Sequence, residues 1–227
     1  MIKPLLYLFN ITLLLVLTGC IEIIDDVSLN DDGSGTFKYN INLSSSKVKI
    51  NSILSLDSLD GRKVPKITDI ESQVIRVVEE LKAQKGITNV TFEADYIDYM
   101  FKLKCDFASL EDLQSAIKQV IIFESKAKDL PELDHDWISF EDNTLKRSVP
   151  KITIAKSKEI NQKEIDLLKE GTYTSITRFE QEIVDFENDK AIVSKNNKAI
   201  MVRTDPYSLT QNPNLLDNSI NLVKKAE

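Results

Sequence analysis

Apolar and polar residues alternate along several short stretches of this chain, a period of two that is typical of strands with one buried face. Two such stretches, residues 23–29 and 37–43, flank the turn signal Asp31-Asp32-Gly33-Ser34-Gly35. A second pair, residues 90–96 and 99–107, has the same spacing. Each pair predicts a β-hairpin with one apolar face.

Helical spacing follows each of these hairpins. Apolar residues recur from Ile70 to Leu81, after Thr68 and Glu71, which match the capping-box pattern of a helix start. Ser109 and Asp112 repeat that pattern before a second apolar stripe that runs to Ile121. Strand, strand, helix therefore occurs twice. This order predicts an α+β fold, an antiparallel sheet built from β-hairpins with helices packed on one face.

The second half of the chain reads as shorter elements. Residues 126–136 are polar and contain Pro131, which predicts a loop or linker. We predict strands, a turn and one short helix beyond it: strands in 137–140, 144–154, 172–186, 191–193 and 199–203, a turn at Asn196-Asn197, a helix over 162–170 and a last apolar segment over 220–223. The predicted units are thus a lipid-anchored α+β domain over 20–125 and a β-rich part over 137–227. The latter either stands alone or completes the same domain.

The first nineteen residues have a different pattern. Lys3 is followed by an apolar run from Pro4 to Val16 and then by Leu17-Thr18-Gly19-Cys20. This run is shorter than the roughly 20 residues that cross a bilayer. We therefore predict a signal peptide over 1–19 rather than a permanent membrane span.

Leu17-Thr18-Gly19-Cys20 resembles the lipobox of bacterial lipoproteins. The resemblance implies cleavage between Gly19 and Cys20 and attachment of lipid to the Cys20 thiol. The strand pattern begins within a few residues of Cys20, which predicts that the folded domain is held close to the membrane. Ile21 is not the Asp of a known inner-membrane retention signal, so the outer membrane of a Gram-negative bacterium is the predicted location. Asp25-Asp26 is a candidate surface-export signal.

Charge and cysteine content narrow the classes of partner. Loss of 1–19 removes Lys3 and changes the formal net charge from −7 to about −8. An acidic body argues against nucleic acid as a partner, since phosphate binding requires clustered Lys and Arg. The remaining cysteine, Cys105, alternates in phase with Leu103 and Phe107, so we predict that it is buried as a small apolar residue. No disulfide framework is predicted.

Candidate catalytic and metal-binding residues are few. A calcium loop centred on Gly33 fails, because its twelfth position is Tyr39, where a bidentate Glu is needed. The densest set of acidic ligands surrounds Asp134-His135-Asp136 and extends to Glu141 and Asp142. A Ser or Cys triad would have to use His135, the chain's one histidine. We predict no metal, no cofactor and no catalytic residue.

The sequence thus favours a non-enzymatic envelope lipoprotein that acts by binding or assembly. Its predicted partners are the membrane, through Cys20, and an envelope protein or a lipid sheltered between sheet and helices. The alternative is an envelope hydrolase with carboxylate or metal chemistry around Asp134–Asp142. The chain's ending, with Leu209, Asn212-Pro213, Leu215-Leu216 and Ile220, resembles bacterial envelope lipoproteins with a sheet-plus-helix body, a resemblance that implies no activity.

Overall fold

A computed structural model describes residues 21–59, 61–126, 130–149 and 168–224. In chain order its strands are β1 (Glu22–Leu29), β2 (Gly35–Asn42), β3 (Ser58–Leu59), β4 (Arg62–Lys63), β5 (Ile87–Asp95), β6 (Met100–Phe107), β7 (Ile138–Glu141), β8 (Thr144–Arg147), β9 (Thr172–Phe179), β10 (Ile183–Phe186), β11 (Ile192–Val193), β12 (Ala199–Thr204) and β13 (Asn218–Leu222). Its α-helices are α1 (Lys47–Leu54), α2 (Ile67–Lys82), α3 (Leu110–Ser125) and α4 (Pro206–Gln211). Single 3₁₀ turns occur at Ser44–Ser46, Pro131–Leu133 and Pro213–Leu216.

Both predicted hairpins are confirmed, and they lie side by side. β1 pairs with β2 and β5 pairs with β6, each antiparallel, and β2 pairs with β6. The first turn needs Gly33 because φ is +86° there, a left-handed conformation that costs glycine little. Gly35 follows, where an added Cβ would lie 2.0 Å from the Ser28 carbonyl oxygen.

The larger sheet has the strand order β11-β12-β9-β1-β2-β6-β5. β9 lies parallel to β1 over the full length of both strands, and β12 pairs with β9 antiparallel. The fold class is therefore α+β with mostly antiparallel strands, as predicted, and the parallel β1–β9 pair is a departure. It places strands from the second half of the chain directly beside β1.

A smaller sheet, β10-β13-β8-β7, packs with the helices over one face of the larger sheet. The buried core joins Val27 and Phe107 of the larger sheet to Leu113 of α3 and to Leu145 and Ile220 of the smaller sheet. α2 and α3 contact each other, and both contact β5. The inner face of the larger sheet is the one covered by these elements.

Three details differ from the sequence predictions. α2 begins at Ile67 rather than after Thr68, and the Asp69 carboxylate accepts from the Lys66 backbone N–H. Asp205-Pro206 starts α4, a helix that the sequence predictions do not include, because the Asp205 side chain accepts from the Ser208 N–H while proline suits the first helical position. Of the predicted 126–136 loop, Pro131–Leu133 is a 3₁₀ turn with Leu133 buried.

The remaining predictions have mixed outcomes. Ser109 caps α3, as predicted, and accepts from the Asp112 N–H at 3.1 Å. The Asn196-Asn197 turn is confirmed, with Asn197 at φ +53°. β8 ends at Arg147. Positions 150–154 of the predicted strand and most of the predicted 162–170 helix lie outside the described residues.

Candidate ligand cavity

A cavity of about 470 Å³ lies between the inner face of the larger sheet and the elements that cover it. β1, β2 and β6 form its floor, and α2 and α3 form its roof. Trp137, Ile138, Leu209 and Leu216 close further sides. The volume lies in the range of about 300–1,000 Å³ that is usual for small-molecule sites.

The floor follows from strand register. Directly opposed residues on neighbouring strands point to the same face of a sheet. Val27 opposes Phe37, which opposes Cys105, and these three form one row across the floor. The next row consists of Asp25, Tyr39 and Leu103. A single polar residue, Asp25, therefore lies on the otherwise apolar inner face of β1.

The roof follows from helical spacing. Leu113, Ile117, Val120 and Ile121 recur on one side of α3, and all four line the cavity. Leu113 is fully buried, whereas the other three are only half-buried because their side chains face the open space. The roof is thus an apolar surface that the protein's own side chains do not fill.

Gln114 fixes α3 against the smaller sheet. Its amide oxygen accepts from the backbone N–H of Trp137 at 2.8 Å and of Ile138 at 3.2 Å. Its amide nitrogen donates to the Ile138 carbonyl oxygen at 2.8 Å. Because Gln114 is buried and these bonds are satisfied, the helix and β7 keep a fixed separation, which preserves the cavity.

One end of the cavity carries a buried ion pair. The Arg147 guanidinium donates to the Asp25 carboxylate at 2.6 Å, and the two side chains are only 12% and 11% exposed. Arg147 also donates to the Ile176 carbonyl oxygen and the Thr177 hydroxyl. The Tyr173 hydroxyl donates to the second Asp25 oxygen. Both charges are therefore compensated within the protein.

Two tyrosines beside this pair keep their protons. Burial, reinforced by the nearby Asp25 carboxylate, raises the pKa of Tyr39 to about 12. The same two causes raise the pKa of Tyr173 well above 10. Within the described residues Tyr39 has no hydrogen-bond partner for its hydroxyl, which lies at the cavity. The polar end thus presents an uncharged hydroxyl in addition to a neutralised ion pair.

Cys105 is confirmed as a buried free cysteine. Its side chain is 0% exposed, and it lies in the cavity floor. Burial raises the pKa of its thiol to about 11, with a smaller contribution from Asp106. The thiolate that attacks electrophiles is therefore scarce at neutral pH.

The acidic stretch does not converge on a point. Asp134, Asp136, Glu141 and Asp142 are exposed, and Asp136 forms an ion pair with Lys118 at 3.0 Å. No group of three or more His, Cys, Asp or Glu side chains in the described part of the chain is arranged to hold a metal ion. The His135 ring lies 6.0 Å from the Trp137 ring, edge to face. The hydrolase alternative around Asp134–Asp142 stays a prediction.

The predicted lipidation site lies outside the described residues. Gly19 and Cys20 both precede Ile21, the first residue of the described structure, whose carbonyl oxygen accepts from the Thr172 N–H at 2.6 Å. Among the described residues no helix is both long enough and apolar enough to cross a membrane. Lipidation at Cys20 and cleavage after Gly19 stay predictions.

The sequence predictions did not identify the polar end of the cavity. They name Asp25 only as part of a candidate export signal and Tyr39 only as the residue that breaks the calcium-loop pattern, and they assign no role to Arg147 or Tyr173. One signal was present: Asp25 occupies a buried-face position between Ile23 and Val27 in an alternating strand. An acidic residue at such a position requires a buried partner, and the structure shows that this partner is Arg147.

Comparison with known proteins adds a structural likeness and no family. The chain matches no protein-family model and no curated protein. It is similar to the NMR structure of the folded domain of LppM from Mycobacterium tuberculosis, with a TM-score of 0.42 and 8% sequence identity. The alignment covers 92% of this chain and 93% of that domain.

Proposed function

We propose that this chain is a lipid-anchored protein of the bacterial cell envelope that binds an apolar ligand with an uncharged polar end. It acts by binding and not by catalysis. The observation that carries the proposal is the cavity of about 470 Å³, lined mainly by apolar side chains, with an ion pair and hydroxyls at one end. A largely apolar pocket with a few convergent polar groups is the usual form of a small-molecule site.

The size of the cavity suits one hydrocarbon chain. It is about three times the 150 Å³ of an engineered apolar cavity that accommodates benzene. Three benzene volumes correspond to about eighteen carbon atoms by the same comparison. A single acyl chain is therefore the ligand class that fits, and two full-length chains are too large.

The charges at the polar end favour an uncharged head group. Arg147 is already paired with Asp25, so a carboxylate or phosphate placed there would meet the Asp25 carboxylate as well. The Tyr39 hydroxyl offers one donor and two acceptor positions to a hydroxyl or an ester oxygen. A monoacylglycerol is a concrete example of such a ligand.

The proposed anchor places this polar end near the bilayer. Asp25 is five residues beyond Cys20, and at about 3.3 Å per residue an extended strand covers roughly 17 Å over that distance. A ligand leaving the membrane would travel a short path to the cavity. We propose the outer membrane as the location, because Ile21, the residue after Cys20, is not the Asp of the inner-membrane retention signal.

A size-matched pair of variants tests the ligand site. Val120→Trp fills the cavity from its roof, and Val184→Trp makes the same change on β10, where Val184 is 66% exposed and does not line the cavity. Mass spectrometry of the membrane-extracted protein is expected to show a co-purifying single-chain lipid in wild type and Val184→Trp, and its loss in Val120→Trp. Thermal melts check that both variants fold.

The head-group class is tested with three ligands that share a sixteen-carbon chain. Monopalmitoylglycerol is expected to bind more tightly than palmitate or hexadecane, and Tyr39→Phe is expected to weaken the glyceride by about tenfold, the value of one lost hydrogen bond to a buried group. Equal binding of all three would contradict the head-group assignment alone. Absence of binding by any of them would contradict the ligand site itself.

A further inference from the structure

Several exposed apolar side chains belong to the segments that meet at one end of the larger sheet. β1 begins at Glu22, β2 ends at Asn42 opposite it, and β6 begins at Met100 opposite Asn42. We call this the anchor-proximal end, because Cys20 is two residues before Glu22. The connection from β2 to α2 and the turn between β5 and β6 both lie there. They carry four exposed apolar residues: Val48 (73%), Leu56 (45%), Leu59 (39%) and Ile97 (75%).

Specific bonds hold two parts of this surface together. The Lys47 ammonium forms an ion pair with Asp98 at 2.7 Å, which places Val48 and Ile97 on neighbouring segments. The Tyr99 hydroxyl donates to Asn51 of α1, and the Leu43 N–H donates to the Tyr99 carbonyl oxygen at 3.0 Å. Tyr99 itself is buried. The exposed residues are therefore attached to an ordered base.

The same segment is basic in an otherwise acidic protein. Residues 47–66 contain five Lys or Arg residues and two Asp residues, whereas the whole chain has a formal net charge of −7. The neighbouring β5–β6 turn adds Asp95 and Asp98, the second of which is paired with Lys47, so the two segments together carry a formal charge of about +1. Lys49 and Lys63 are exposed beside the apolar residues. Apolar side chains flanked by Lys and Arg are typical of surfaces that rest in the head-group region of an anionic bilayer.

We propose that this surface, formed by Val48, Leu56, Leu59, Ile97, Lys49 and Lys63, docks the folded body onto the anionic bilayer to which the chain is anchored. The occupant is the lipid surface. Two observations favour this over a protein partner: the chain leaves the fold at this end towards the predicted acylated residue, and the exposed Lys49 and Lys63 lie beside the apolar residues, where they can meet lipid phosphates. Docking fixes the orientation of the body, with the polar end of the cavity on its membrane side.

The test uses tryptophan as a depth probe. Val48→Trp, Ile97→Trp and Val184→Trp are compared with wild type, whose Trp137 supplies the background signal. Val184 is the matched control, because it is similarly exposed at 66% and follows Phe179, which lies at the opposite end of the sheet. Each protein is held on vesicles of phosphatidylethanolamine and phosphatidylglycerol that contain acyl-brominated lipid, which quenches nearby indole rings.

Two ways of attaching the protein to the vesicles allow the proposed anchor and the docking surface to be tested independently. A protein isolated with its acyl groups is reconstituted directly. A chain that mass spectrometry shows to lack them is coupled through Cys20 to a maleimide-bearing lipid, since Cys105 is fully buried. Failure of acylation would then count against the anchor, while quenching still reports on docking.

The expected result is strong quenching of the indoles at positions 48 and 97 and wild-type quenching at 184. Lys49→Glu with Lys63→Glu is expected to shift the docked-to-undocked ratio by about fivefold or more per lysine, the effect of one basic residue near an anionic surface. Lys195→Glu with Lys198→Glu, at the distal β11–β12 turn, should change nothing. Equal quenching at 48, 97 and 184 would overturn the docking surface.

Discussion

At the scale of single residues, the polar end of the cavity shows how a buried charge is tolerated. Asp25 interrupts an apolar strand face, and an unpaired carboxylate there would be strongly destabilising. Arg147 and Tyr173 occupy both of its oxygens. The ion pair joins β8 of the smaller sheet to β1 of the larger one, so it also sets how the two sheets meet.

Removal of the arginine from the Asp25–Arg147 ion pair should reveal the destabilisation caused by an unpaired buried carboxylate. Arg147→Met leaves Asp25 buried without its countercharge, and we expect a loss of about 3–5 kcal/mol in the free energy of unfolding, measured by urea denaturation at pH 7. The triple variant Asp25→Leu, Arg147→Met, Tyr173→Phe should recover most of the loss. Lys118→Met is the control, because the Lys118–Asp136 pair is partly exposed and should cost less than about 1 kcal/mol.

Tyr39 should make the fold sensitive to alkali. Its pKa is raised from 10.0 to about 12 in the folded state, so between these values the unfolded chain loses a proton that the native protein keeps. The stabilisation is complete below pH 10 and is lost as the pH rises towards 12, at about 1.4 kcal/mol per pH unit for one group. Urea denaturation at pH 9, 10 and 11 should show a shallower decline for Tyr39→Phe. An identical decline would contradict the assignment.

At the scale of elements, local chemistry decides where helices begin. Ser109 has extended backbone geometry and a side chain that accepts from the Asp112 N–H, as the sequence pattern predicts. Thr68 matches the same pattern but lies inside α2, because Pro65 and the extended Lys66 start the helix two residues earlier. The capping pattern therefore identified both helices, but it located the first residue correctly only for α3.

These two positions form a natural pair for measurement. Ser109→Ala removes the cap of α3 and should reduce the free energy of unfolding by about 1 kcal/mol. Thr68→Ala removes a hydroxyl that caps nothing and places alanine, the best helix former, in the first turn, so its effect should be near zero or slightly stabilising. Chemical denaturation of both variants measures these changes in the free energy of unfolding. A larger loss at Thr68 would contradict the observed start of α2.

At the scale of the whole molecule, β1 connects the two halves of the chain. It pairs with β2 on one side and with β9 on the other, over eight residue pairs in each case. The Arg178 Nε–H of β9 also donates to both carboxylate oxygens of Asp26, each at 3.0 Å. The seam between the halves is therefore a continuous ladder of backbone bonds.

This arrangement predicts cooperative unfolding. We expect one transition, with the same midpoint for Trp137 fluorescence, which reports on the cavity, and for far-ultraviolet circular dichroism, which reports on all strands. Thr177→Pro, which removes a backbone donor from the central strand β9, should lower both midpoints together. Two separated midpoints would contradict this prediction and indicate independently folding halves.

Local sequence patterns were sufficient to predict the main elements and the fold class. A period of two predicts strands, and a capped period near 3.6 predicts helices, because these patterns depend on neighbours within a few residues. They also predicted the burial of Cys105, whose face is set by alternation within β6 alone. The export and lipidation signal is likewise local, and it stays a prediction from Leu17-Thr18-Gly19-Cys20.

The candidate site, in contrast, depends on contacts between distant parts of the chain. The parallel pairing of β1 with β9 joins residues about 150 positions apart, and no local periodicity specifies such a partner. The Asp25–Arg147 pair and the open space beneath α3 likewise depend on contacts between distant parts of the chain. Burial pattern shows that a residue faces inward, whereas packing between distant elements decides whether that interior is filled or left as a cavity.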